Sequence, residues 1–273
     1  VTNSIKSVKS MPALAAKEKG LVSDYSHLSR YIDDIISFID PKVKNNNAKI
    51  LFDDMYGTGR LGLVPIAEKL GIARFDVIND RRDAFFGFVA PNPTEEAMAR
   101  LKNTVLENGY DFAMGTDCDA DRLGVIDENG NNVSSNEILA CLYYYLVRYR
   151  GMKGDVVKNC STSLILDMLA EKFGSKCHEV DVGFKNISAK IKETDALIGG
   201  ESSGGLTVRN YIFGKDSTFS ATLFAEMRII MDKPVSEIVN EVKTFAGYDY
   251  HWAESTCIVS DMKVFDVLKK DDG

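Results

Sequence analysis

Residues 112–127, Phe-Ala-Met-Gly-Thr-Asp-Cys-Asp-Ala-Asp-Arg-Leu-Gly-Val-Ile-Asp, decide how the fold is read. Two short apolar runs, 112–115 and 123–127, predict strands, and a loop with carboxylates at alternate positions joins them. Upstream, Lys49 to Asp53 predicts a strand, 55–59 a turn, 61–70 a helix stopped by Gly71, and 75–78 a second strand. Pro93, Thr94, Glu95 and Glu96 predict a helix start, with Thr94 capping free amides and the acids suiting the positive end of the helix, which stops at Gly109. Downstream, 128–132 predicts a turn, and helices at 136–148, 165–173 and 185–193 alternate with strands at 156–159, 177–180 and 196–199. A glycine-flanked loop at 201–205 leads to a strand at 206–209, and helices at 219–231 and 235–245 follow. Short strands alternating with helices predict α/β layering, in two units of similar size and rhythm.

The domain plan follows from this alternation. The opening, 1–26, has no sustained period and reads as a remnant or linker without a core. Residues 27–131 form an α/β domain carrying the acidic loop, and 132–245 form a second. The end, 246–273, is β-rich over 248–259 with no strand partner left, and it reads as the start of a further domain or a linker. With 273 residues, 45% of them hydrophobic, the chain can bury two cores. A formal charge of −7 and the lack of a long basic run argue against a nucleic-acid partner. The longest apolar run, 138–147, is half of the roughly 20 residues that a membrane helix needs, and the start does not read as a signal peptide, so no membrane is expected. Cys118, Cys141, Cys160, Cys177 and Cys257 are scattered and odd in number, which fits a reducing cytoplasm better than a disulfide framework or a zinc site.

In an extended or gently coiled loop, residues at i, i+2 and i+4 point the same way, so Asp117, Asp119 and Asp121 can converge on one hard cation. Mg²⁺ accepts carboxylate oxygens and keeps positions open for water or phosphate, and Arg122 beside them can hold a phosphate or balance their charge. Other readings stay open at this point. As an EF-hand, the loop has Asp117, Asp119, Asp121 and Glu128 at ligand positions but Arg122 where a glycine is needed, between strands rather than helices. An apolar strand ending in Asp-x-Asp also resembles haloacid-dehalogenase phosphatases, although Asp121 stands where they carry Thr or Val. The plain alternative is an exposed acidic turn.

Two glycine loops add to the picture. Gly57-Thr58-Gly59-Arg60-Leu61-Gly62 fits the dinucleotide pattern GxGxxG, with Asp76 as the ribose acid, but 53–56 separate it from the strand. A tight turn whose amides face a cleft ranks above that reading. Gly199-Gly200-Glu201-Ser202-Ser203-Gly204-Gly205 offers one carboxylate and two hydroxyls, a set that suits sugar hydroxyls, against the plain alternative of a simple turn.

The order of 53-DDMYGTG-59, 115-GTDCDADRLGV-125, 182-VGFK-185 and 199-GGESSGG-205 resembles the second and third domains of α-D-phosphohexomutases, the phosphoglucomutase/phosphomannomutase kind, over most of the chain. The resemblance implies two similar three-layer α/β domains with mixed sheets. It implies Mg²⁺ at Asp117, Asp119 and Asp121, and Arg122 near the transferring phosphate. It places Glu201 and Ser203 at the sugar hydroxyls, Lys185 facing the substrate, and the Gly57-Thr58 turn at the same cleft. The implied reaction interconverts hexose 1-phosphate and hexose 6-phosphate, of glucose or mannose, through a phosphoserine and a bisphosphate. The family's Ser-His-Asn-Pro and Arg-x-Ser-Gly-Thr strings do not occur in these 273 residues. An N-terminal phosphoserine domain and a C-terminal phosphate-binding domain are therefore implied partners, and the chain alone is expected to be inactive. Cys118, Ser202 and the run Lys215-Asp216-Ser217-Thr218 depart from the family's usual residues.

Overall fold

The computed structural model describes residues 10–248. The first sheet contains β1 (Lys49–Asp53), β2 (Arg74–Ile78), β3 (Phe112–Thr116), β4 (Leu123–Ile126) and β5 (Asn132–Val133) in the order β2-β1-β3-β4-β5. β1 runs parallel to β2 and β3, whereas β3–β4 and β4–β5 are antiparallel. The second sheet repeats this plan one strand shorter, with β6 (Val156–Asn159), β7 (Cys177–Val180), β8 (Ile198–Gly200) and β9 (Leu206–Val208) in the order β7-β6-β8-β9. Only its β8–β9 pair is antiparallel. Both sheets are mixed, as expected.

Alternation along each strand makes the layers. Ile50, Phe52, Phe112, Met114, Leu123 and Val125 face the large core, while Leu51, Ala113 and Ile126 face the opposite way. On the first side lie α2 (Leu28–Phe38) and α3 (Arg60–Leu70); on the second lies α4 (Ala99–Asn108), through Leu101 and Val105. In the second unit, α5 (Ser135–Arg148), α6 (Ile165–Phe173) and α9 (Val235–Ala246) share the large core, and α7 (Phe184–Thr194) covers the other face with Ile187 and Ile191. The expected apolar run 138–147 is thus a buried helix, opened by a reciprocal cap between Ser134 and Glu137.

Several expectations are corrected. α2 falls in a segment for which no helix is predicted, although Ile32, Ile35 and Ile39 recur at helical spacing and are buried. A short helix, α1 (Ala13–Glu18), lies in the expected linker. Thr94 caps only a turn: its hydroxyl accepts from Ala97 N at 3.3 Å, Met98 then leaves helical geometry, and α4 begins at Ala99. The first sheet extends past the expected boundary at 131, because Val133 pairs with Val125. The β-rich 248–259 stretch lies, apart from Tyr248, outside the described residues.

α8 (Ser217–Met231), expected simply to close the second unit, joins the two. Phe224 meets Phe112 of β3 with ring centroids 5.8 Å apart. Its Glu226 is fully buried and accepts hydrogen bonds from Tyr145 and Arg150 of the second unit and from the Asp40 amide of the first. One continuous apolar cluster therefore runs through both units.

Candidate functional site

In open α/β sheets ligands gather beyond the carboxyl ends of the strands, where successive crossovers leave toward opposite faces. α3 and α4 leave β1 and β2 on opposite faces, so the first switch point lies between β1 and β3; α6 and α7 put the second between β6 and β8. The acidic loop follows β3, and the Glu201 loop follows β8.

Asp117 closes the acidic loop on itself. Its Oδ1 accepts from Asp121 N at 2.8 Å and Arg122 N at 3.0 Å, and its carbonyl accepts from Ala120 N at 3.1 Å. Ala120 takes a left-handed φ of 58° to complete the turn. The result gathers carboxylate oxygens of Asp117, Asp119 and Asp121 within 4.8 Å of one another. Burial, with the charges of Asp121 and Asp119 added, pushes the Asp117 carboxyl up to about 6 despite the two amides that it accepts. Burial and the charges of Asp119 and Asp117 raise the Cys118 thiol, so it stays protonated and the donor set is all oxygen. Three crowded carboxylates, one of them the buried Asp117, fit a hard divalent cation.

The loop is braced from three sides. From the first unit, Thr58 donates its N–H at 3.1 Å and its hydroxyl at 3.3 Å to Cys118 O, and a side chain at Gly57 would lie 2.7 Å from the Cys118 backbone. Behind that turn, buried Asp54 holds Arg60 through both its amide and its guanidinium. From the side, Pro91 O accepts Cys118 N at 3.2 Å. From the second unit, Ser217 N donates to Ala120 O at 2.8 Å, Gly204 O accepts Leu123 N at 3.4 Å, and Lys215 Nζ pairs with Asp121 Oδ2.

Arg122 Nε stands 3.7 Å from both Asp117 and Asp121, and its Nη1 reaches Asn92 Oδ1 at 3.4 Å. Glu201, only 8% exposed, accepts from Gly183 N at 3.2 Å and from Ser203 Oγ at 3.4 Å. That bond ties the Gly183-Phe184-Lys185 turn to the Glu201 loop, with Ser203 and Lys185 exposed beside it. Gly57 and Thr58 thus touch the back of the acidic loop, while Asp117, Asp119, Asp121 and Arg122 share one loop and Glu201, Ser203 and Lys185 one neighbouring edge. Sequence reasoning did not place Lys215, Asn92 or Ser217 at the site, although it noted the run that holds Lys215 and Ser217 as a departure from the family's usual residues.

Two family models match this chain. "Phosphoglucomutase/phosphomannomutase, alpha/beta/alpha domain II" covers residues 29–130, and domain III of the same family covers 134–245. The chain belongs to the phosphoglucomutase/phosphomannomutase family. Among curated relatives, the phosphoglucomutase/phosphomannomutase of Thermococcus kodakarensis is 28% identical over 79% of this chain and 47% of its own length. The phosphoglucosamine mutase of Nautilia profundicola is 31% identical over 77% and 47%. A crystal structure from Thermus thermophilus, described as a candidate phosphomannomutase, superposes with a TM-score of 0.78 at 27% identity, covering 82% of this chain and 52% of that one. The chain therefore spans about half the length of the curated relatives that it matches. Family membership replaces the phosphatase and dinucleotide readings, and strands on both flanks of the acidic loop exclude the helix–loop–helix of an EF-hand. Among the described residues no helix is long and apolar enough to cross a membrane.

Proposed function

We propose that this phosphohexomutase chain carries the metal- and sugar-holding part of a Mg²⁺-dependent enzyme that interconverts hexose 1-phosphate and hexose 6-phosphate through a phosphoserine and a bisphosphate. Support comes above all from one observation: the three oxygens gathered within 4.8 Å stand on a loop that the sugar-loop side of the second unit touches directly. Asp117, Asp119 and Asp121 would hold the ion, which when bound supplies charge neutralisation to a phosphoryl group in transfer. Arg122, beside that position, orients phosphate oxygens with its fork of N–H donors. Glu201 and Ser203 accept and donate to ring hydroxyls, Lys185 offers its ammonium to the far end of the substrate, and the Gly57-Thr58 turn keeps the metal loop in place. The phosphoserine would come from a domain outside these 273 residues, so the isolated chain turns over neither glucose 1-phosphate nor mannose 1-phosphate. Names of curated relatives add a 2-amino hexose phosphate to the substrate class, because phosphoglucosamine mutases stand among them.

The test is a Mg²⁺ titration read by thermal unfolding. At a hundredfold excess over the dissociation constant the folded form gains about 2.7 kcal/mol, and the midpoint rises. Asp119→Asn should abolish the rise; equal rises in both proteins would refute the assignment, and mutase turnover by the purified chain would refute the division of labour.

A further inference from the structure

Lys215 lies between β9 and α8, in the second unit, yet its ammonium pairs with Asp121 of the metal loop in the first. Its stem crosses the sugar loop: a Cβ on Gly205 would come 2.2 Å from Lys215 Cδ and 2.8 Å from its Cγ. The residues that follow are pinned. Asp216 accepts the Tyr31 hydroxyl at 2.9 Å and the Tyr211 hydroxyl at 2.6 Å and caps Phe219 N at 3.1 Å, while Ser217 N is held by Ala120 O. The Lys215 side chain lies outside these bonds, and it is 22% exposed.

Charge decides what that side chain does. Asp117, Asp119 and Asp121 face Arg122 and Lys215, which leaves one net negative charge. A divalent ion added to this group would make it net positive unless a cation departs. The Arg122 guanidinium stays beyond hydrogen-bond distance of the carboxylates and keeps Asn92 as a partner, whereas Lys215 occupies an oxygen of a proposed metal ligand.

We propose that Lys215 holds the metal position while it is free of ions and leaves Asp121 when a divalent cation takes that carboxylate, so that metal occupancy is transmitted along its stem to Gly205 of the sugar loop. This rests on the Mg²⁺ reading above. By linkage, whatever fixes the sugar loop then changes metal affinity by the same factor that metal changes affinity at the loop.

Acylation of lysine amines in the intact 273-residue chain, read by mass spectrometry with and without Mg²⁺ at matched ionic strength, tests this. Lys215 should label several-fold faster with Mg²⁺, while Lys190, paired with Glu193 away from the loop, keeps its rate. Asp121→Asn should release Lys215 without any metal, and Lys215→Met should bind Mg²⁺ roughly threefold to fivefold more tightly, the scale of one partly exposed ion pair. Calorimetric Mg²⁺ binding with unchanged Lys215 labelling would overturn this inference and leave the metal site standing. Absence of Mg²⁺ heat in both wild type and Lys215→Met would overturn the metal reading and the inference with it.

Discussion

Replacing Glu226 by Gln should cost far more stability than its conservative shape suggests. The residue is fully buried, and its carboxylate is approached only by donors: Tyr145 Oη at 2.6 Å, Arg150 Nη1 at 2.7 Å and Asp40 N at 3.0 Å. A glutamine turns an NH₂ group toward at least one of these donors and leaves Arg150, 22% exposed, without its counter-charge. Removing one member of a buried pair costs about 3–5 kcal/mol, and partial exposure of the arginine puts the expected loss near the lower end, about 3 kcal/mol. For a chain of this size each kcal/mol moves the midpoint by about 2–4 °C, so thermal unfolding of Glu226→Gln should shift down by roughly 6–12 °C. Because α8 links the two units, both should still melt together. Adding Arg150→Met should recover part of the loss in a double-mutant cycle. A midpoint lowered by less than about 2 °C, about 0.5–1 kcal/mol, would refute the argument that this group is a desolvated staple.

Three further outcomes follow from the geometry. Gly57→Ala places a methyl group 2.7 Å from the Cys118 backbone, and should cost about 1–3 kcal/mol in urea unfolding while weakening the Mg²⁺ response, since the metal loop must shift. Burial alone would raise the Glu137 carboxyl, but Lys243 and the Ser134 cap outweigh it and hold it below the ordinary 4.5. A depressed folded value means that its contribution is present above 4.5 and is lost as the pH falls through that folded value. The urea midpoint of the wild type should therefore drop more steeply in acid than that of Glu137→Gln. Ala120→Gly removes the cost of a left-handed alanine and should raise the midpoint, by about 1 kcal/mol in stability, with no loss of Mg²⁺ binding by calorimetry.

How much of this is legible depends on how local each signal is. Gly71, Gly109 and Gly174 end α3, α4 and α6 in left-handed geometry, so those boundaries stand in the sequence as turn chemistry. Asp117, Asp119 and Asp121 converge because one short loop carries them all, and their spacing alone predicts it. α2 goes unread although Ile32, Ile35 and Ile39 recur at helical spacing, because the weak periodicity before it hides where the helix starts. Neither the Lys215–Asp121 pair nor the Gly204–Leu123 bond can be read, since each depends on how the two sheets pack around α8. Even α8 conceals its role: a helix buried on nearly every side announces a core position without saying between which layers.

The proposed function requires a cation at the end of β3, and diffraction can look for it there. A crystal of the chain soaked in Mn²⁺ as a stand-in for Mg²⁺ should show one anomalous peak bonded to oxygens of Asp117, Asp119 and Asp121 together, and none in a matched Asp119→Asn crystal. A wild-type map with those three side chains ordered and no peak among them, at a concentration that fills other sites, would contradict it.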